Sequence, residues 1–233
     1  MEEICAPCLM SYFNVFLSIH SYLCDNPMTH LKFITNIVVG VSLLASSAVQ
    51  AYGEHSDPAL KHLTQAFAEA AKDPGKLDAA FSVAEQTVKA MPNNPIALVY
   101  KGSLATQRAR DAWMPWNKLS YLKDGIDMMD QALDIASRAP VNPDTILQVR
   151  MVRALTSARI PAIFGRGSVA QGDLTNVLSN PGFKGMKAQD QASVYAWLAV
   201  YAHRDNQADK AADQLKTARA VDKVTADAVW AER

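Results

Sequence analysis

The side chains with the most chemical potential lie between Arg108 and Lys118, in the run Arg-Ala-Arg-Asp-Ala-Trp-Met-Pro-Trp-Asn-Lys. Trp113 and Trp116 bracket a proline and are flanked by Arg108, Arg110 and Lys118. An aromatic face with cations beside it can hold a peptide or a small anion through cation–π contact and apolar burial. The same residues have a packing role. Two indoles inserted between adjacent helices would fill a gap, with Arg110 and Asp111 bracing the loop as an ion pair, and this is the preferred reading because indoles bury large apolar area.

Arg150 and Arg153 form a second candidate. Their i, i+3 spacing places them on one helical face, with Arg166 a possible third member. In a repeat array the first helices line the concave surface, so these cations would face a ligand there. The competing reading is a salt-bridged face with Asp144 and Asp134 as partners, and it is preferred. Gly165-Arg166-Gly167-Ser168 resembles a phosphate-cradling loop only superficially. It follows a helix rather than a strand and lacks a Gly-Lys-Ser/Thr ending, so it reads as a turn.

No other constellation points to catalysis or metal binding. His55, His62 and His203 include no i, i+4 pair and no HExxH motif. Asp124, Asp127 and Asp130 recur at three-residue steps and read as the wet side of a helix. With no GxSxG serine, catalytic cysteine or telling carboxylate pair, an enzyme is not expected, nor is a cofactor. A degenerate hydrolase is the remote alternative.

Composition is that of an ordinary globular protein, with 49% apolar and 20% charged residues. Formal charge is balanced, which leaves no electrostatic footprint for nucleic acid. Cys5, Cys8 and Cys24 all precede residue 25, so the body has neither a disulfide framework nor a cysteine-based zinc site. From Met28 the order is Lys32, the apolar run Phe33–Ala45, then Val49-Gln50-Ala51. That is the layout of a secretory signal peptide over residues 28–51, cleaved after Ala51. Residues 1–27 read as an upstream extension or a mis-set start. A membrane anchor is the second choice, because the 33–51 run is short and diluted by polar residues. Removal of residues 1–51 leaves 182 residues, with 22 basic against 20 acidic side chains and a net charge of +2. The export signal without an anchor implies a periplasmic or secreted protein with no stable membrane span.

The candidate residues must be held by helices, because no stretch alternates with period two. Asp57-Pro58, Asn94-Pro95 and Asn142-Pro143 are cap-plus-proline starts, in which proline's missing N–H costs nothing. Leu60, Leu63 and Phe67 begin the apolar stripe of a first helix, ended by Asp73-Pro74-Gly75. Lys76–Met91 makes its partner. A second unit runs from Pro95, with the insert 108–118, to a partner helix starting at Leu119 or Tyr121. The third carries Ile146, Leu147, Met151 and Leu155 inward, with Arg150 and Arg153 on the far side, breaks at Pro161 and Gly165–Gly167, and has a short second helix. The fourth pairs Lys187–His203 with Gln207–Val221, and Thr225–Trp230 forms a cap. These openings recur every 37 to 48 residues. A recurrence of helix hairpins is the signature of a solenoid, in which each hairpin buries its face against the next.

Unit four has the order Tyr195-Ala196-Trp197-Leu198-Ala199, Asp205-Asn206, then Ala211, Leu215 and Ala218. Unit two has Asn94-Pro95, Tyr100-Lys101-Gly102, then Gly125-Ile126 and Gln131-Ala132-Leu133. This order resembles the tetratricopeptide repeat, in degenerate form. Lys223 stands where a proline is usual, unit three's second helix is short, and unit two carries about ten extra residues. The resemblance implies an all-α, right-handed α-solenoid of about four antiparallel hairpins filling residues 52–233 as one domain. By analogy of fold it also implies a scaffold or adaptor for a protein or peptide partner in the cell envelope. The alternative is a small-ligand-binding accessory protein of an envelope transport system, with a pocket beside Trp113 and Trp116. On either view the expected contact residues are Arg108, Arg110, Trp113, Trp116, Lys118, Arg150 and Arg153.

Overall fold

The computed structural model describes residues 57–138, 140 and 142–233. The expected leader, the stretch 1–27, Cys5, Cys8, Cys24 and His55 lie outside the described residues. The described chain is all-α, with nine α-helices and no strand. They are α1 (Pro58–Lys72), α2 (Leu77–Ala90), α3 (Pro95–Asp111), α4 (Pro115–Arg138), α5 (Pro143–Ser157), α6 (Gly167–Leu178), α7 (Ala188–Arg204), α8 (Ala208–Val221) and α9 (Lys223–Ala231). Among the described residues, no helix is long and apolar enough to cross a membrane.

Helix starts follow local chemistry. The Asp57 carboxylate accepts from the Ala59 N–H, Asn94 from Ile96 and Ala97, and Asn142 from Asp144. Each satisfies donors that the first turn leaves without a partner. The α7–α8 turn runs through Asn206 at φ 59°, a left-handed conformation that asparagine tolerates better than most side chains.

Helices pair in sequence order, α1 with α2, α3 with α4, α5 with α6 and α7 with α8, while α9 packs on both α7 and α8. Adjacent hairpins meet through their first helices (α1 with α3, α3 with α5) and through second helix on next first helix (α2 on α3, α4 on α5, α6 on α7). The closest approach is in the second hairpin. A Cβ at Gly102 would lie 2.7 Å from the Gly125 carbonyl oxygen, and one at Gly125 would lie 2.6 Å from that of Gly102. Only residues without a side chain let α3 and α4 touch backbone to backbone.

The apolar core falls into two clusters. One joins the first two hairpins around Leu63, Val99, Leu104 and Met129. The other joins the last two hairpins and α9 around Leu174, Val194, Trp197 and Val200. Helix α5 serves both, giving Val149 to the first and Leu147, Met151 and Ala154 to the second. Polar contacts complete the seam between them: Gln148 Nε2 donates to the Tyr100 hydroxyl at 3.0 Å, and the Ser103 and Thr156 hydroxyls are 2.7 Å apart.

Two expectations need correction here. The insert 108–118 is almost entirely helix, because α3 continues to Asp111 and α4 begins at Pro115 rather than at Leu119 or Tyr121. Pro115 supplies the first-turn residue of α4, a role proline fits without loss of a hydrogen bond. Only Ala112, Trp113 and Met114 form the turn.

Candidate binding groove

The first helices of all four hairpins contribute to one groove of about 1510 Å³. Phe67 comes from α1, Tyr100 from α3, Gln148, Met151 and Leu155 from α5, and Asp190 from the first turn of α7. Leu119 and Leu122 of α4 and Phe164, after α5, close the edge where the first helices end. Phe67 and Tyr100 meet edge to face at 4.7 Å between ring centres, which fixes the wall between the first two hairpins. The floor is mostly apolar and charge sits at its ends: Arg110, Lys118 and Arg159 at one, Asp144, Lys187 and Asp190 at the other. Burial pushes the Asp190 carboxyl above the ordinary carboxylate range, with Lys187 offsetting part of the effect. The Tyr100 hydroxyl is also pushed up by burial, against its bond from Gln148.

The expected site residues separate into three groups. Arg110 and Lys118 line the groove. Arg110 pairs with Asp111 at 2.9 Å, as the bracing role requires, and Lys118 Nζ donates to the Arg110 carbonyl at 3.1 Å. Arg108 turns away, donating to Asp78 at 2.7 Å and stacking 4.2 Å from the Phe81 ring centre. It joins the first two hairpins instead of facing a ligand.

Trp113 and Trp116 are not packed. They are 85% and 65% exposed. The packing expectation fails because the chain turns in three residues instead of eleven, leaving no irregular gap to fill. Neither indole lines the groove or the 290 Å³ cavity beside Arg108 and Tyr121.

Arg150 and Arg153 do not line the groove either. They turn to the opposite side of α5 and, with Arg166, enter a network with Asp173 of α6 and Asp130 of α4. Asp173 is 1% exposed and accepts from Arg150 at 2.7 Å and from Arg153 Nε and an Arg153 terminal nitrogen at 2.7 and 3.0 Å. Asp130 accepts from Arg153 at 2.9 Å and from two Arg166 nitrogens at 2.9 and 2.7 Å. Burial would raise the Asp130 carboxyl, but the Arg166 and Arg153 guanidinia outweigh it and hold it below the usual range. The salt-bridged reading of these arginines holds, with different partners. Asp134 is taken by Arg138 one turn on, and Asp144 sits in the groove. Asp124 and Asp127 are exposed as expected, while Asp130, 42% exposed, stands at the edge of that face and turns its carboxylate into the network.

Asp173 escaped the sequence reading, though a signal existed. Arg150 and Arg153 have no acid three or four residues away on their own helix, so any partner had to come from another element. Among the described residues, no group of three or more His, Cys, Asp or Glu side chains is placed to hold a metal ion. No family model matches this chain, and neither a curated protein nor a solved structure does.

Proposed function

We propose that the chain is an exported, tetratricopeptide-like scaffold that binds a protein or peptide segment along this groove. One observation carries the reading: a single groove lined by the first helices of the first three hairpins and by Asp190 of the fourth. A floor of Phe67, Met151 and Leu155 suits apolar side chains, and methionine adapts to several shapes. Arg110, Lys118 and Arg159 at one end, against a mixed end with Asp144, Asp190 and Lys187, would set the orientation of a bound segment. The close Gly102–Gly125 crossing and the consecutive hairpin pairing support the family resemblance. The small-ligand alternative needed a pocket against Trp113 and Trp116, and nothing in the geometry favours it.

The test is site-specific photo-crosslinking of the full chain in a cell envelope. A crosslinker at Gln148 or Leu155 is expected to capture a discrete partner, while one at Lys216, exposed on α8, captures none. Capture from Lys216 alone, or from neither groove position, would refute groove binding. Export is tested separately by N-terminal sequencing, which should begin at Tyr52; retention of Met1 would sink that part of the proposal.

A further inference from the structure

Five of the six large apolar side chains exposed among the described residues occupy two neighbouring turns. Trp113, Trp116 and Leu119 belong to the α3–α4 turn and the start of α4, and Ile163 and Phe164 to the turn after α5. Leu119 and Phe164 border the same groove, so both turns lie on the edge where the first helices end. At 85% and 65% exposure the two indoles alone present on the order of 300 Å². With Leu119 and with Ile163 at 88%, the patch passes the few hundred Å² that a soluble monomer ordinarily shows.

We infer that this edge inserts into the headgroup region of a lipid bilayer. The turn stands in solvent, with its two indoles largely exposed. The Arg108–Asp78 pair braces α3 to the first hairpin, and α3 then continues through three more residues, roughly 5 Å, before the chain turns. Both indoles therefore stand beyond that brace, at a height matching the roughly 5–10 Å to which interfacial side chains sink. Neither turn carries a carboxylate: residues 112–123 and 158–172 contain no Asp or Glu. Of the carboxylates nearest in sequence or contact, Asp111 and Glu232 are each held by an arginine and Asp124 accepts from Ser120, while Lys118 has no acidic ion-pair partner among the described residues. Indole bodies with polar N–H tips, backed by cations and free of acids, match the headgroup boundary, anionic lipid included. A protein partner would be met better by the groove than by an exposed turn.

Tryptophan emission tests this on the full chain, because its four tryptophans are Trp113, Trp116, Trp197 and Trp230 and none lies before residue 57. Trp197 is 1% exposed and Trp230 is half-buried, so the part of a lipid-dependent change that disappears when Trp113 and Trp116 are both replaced reads the tip, and no indole reports on the apolar N-terminal segment. Vesicles of phosphatidylcholine, alone and with phosphatidylglycerol, are expected to shift emission to the blue and shield it from iodide, and brominated acyl chains to quench it. Trp113→Ala with Trp116→Ala should abolish the lipid-dependent change while thermal unfolding stays that of the parent. Ile163→Ser, which keeps every indole, should raise the lipid concentration for half-maximal shift about threefold. Unchanged emission and iodide quenching with both vesicles would overturn the inference. So would indole shielding that appears with rising protein concentration in the absence of lipid, which would assign the edge to a second copy of the chain.

Discussion

Replacement of Asp173 by alanine is the sharpest test of how the third hairpin is held to the second. Asp173 is 1% exposed and accepts three guanidinium hydrogen bonds at 2.7 to 3.0 Å. Breaking a buried pair by removing one partner typically costs about 3–5 kcal/mol, because the remaining charge stays desolvated. Here Arg150 is a quarter exposed and Arg153 keeps Asp130, so the lower end applies, about 3 kcal/mol. For a domain of this size that lowers Tm by about 6–12 °C. Asp130→Ala should cost less, about 2 kcal/mol: Asp130 itself is 42% exposed and Arg153 keeps Asp173, but Arg166, 10% exposed, loses both of its hydrogen bonds. Replacing Arg150→Met, Arg153→Met and Asp173→Leu together removes charge and partner at once, and should recover most of the loss. Urea unfolding of the full chain, with the slope m checked for constancy, measures all three. A cost for Asp173→Ala within about 1 kcal/mol of zero, or one smaller than that of Asp130→Ala, would refute the argument that burial makes Asp173 the centre of the network.

Two further outcomes are expected. Gly102→Ala gains about 1 kcal/mol of helix propensity. Its Cβ would nevertheless meet the Gly125 carbonyl at 2.7 Å and Met129 Cγ at 2.8 Å. Overpacking against backbone costs about 1–3 kcal/mol, so the net effect in thermal unfolding should be destabilising, and a rise in Tm would show that α3 and α4 can part freely. The second concerns acid. The Asp130 carboxyl is held below its unfolded value, so its contribution is fully present above about pH 4 and is lost as pH falls through the lower folded value. Asp190 has the opposite sign, because burial raises its carboxyl and its charged form costs stability above that raised value. Asp130→Asn should therefore flatten the acid limb of a stability–pH curve and Asp190→Asn should steepen it; an unchanged limb in Asp130→Asn would show that the network does not report through this carboxylate.

Much of the architecture was legible from the chain alone. Helix starts at Pro58, Pro95 and Pro143 are set by a capping side chain and a proline that act within four residues, so no distant partner is needed to predict them. The apolar stripes through Leu60 and Leu63, and through Leu147, Met151 and Ala154, named the buried faces for the same reason: helical period converts spacing directly into a face. Near-equal helices and short turns then made consecutive hairpin pairing almost unavoidable.

What depended on contacts between distant residues was decided only by the tertiary structure. Whether Trp113 and Trp116 were core or surface turned on where α4 begins, and Pro115 extends that helix to within three residues of α3. The indoles were left outside because the hairpin closed without them. Arg150 and Arg153 shared a face by spacing, but which way that face looked depended on a carboxylate at position 173, twenty residues and one helix away. Periodicity names a face and cannot say what it meets. The groove is the same case: each first helix was readable from its own residues, and the groove exists only once α1, α3 and α5 pack in succession and Asp190 of α7 joins its lining.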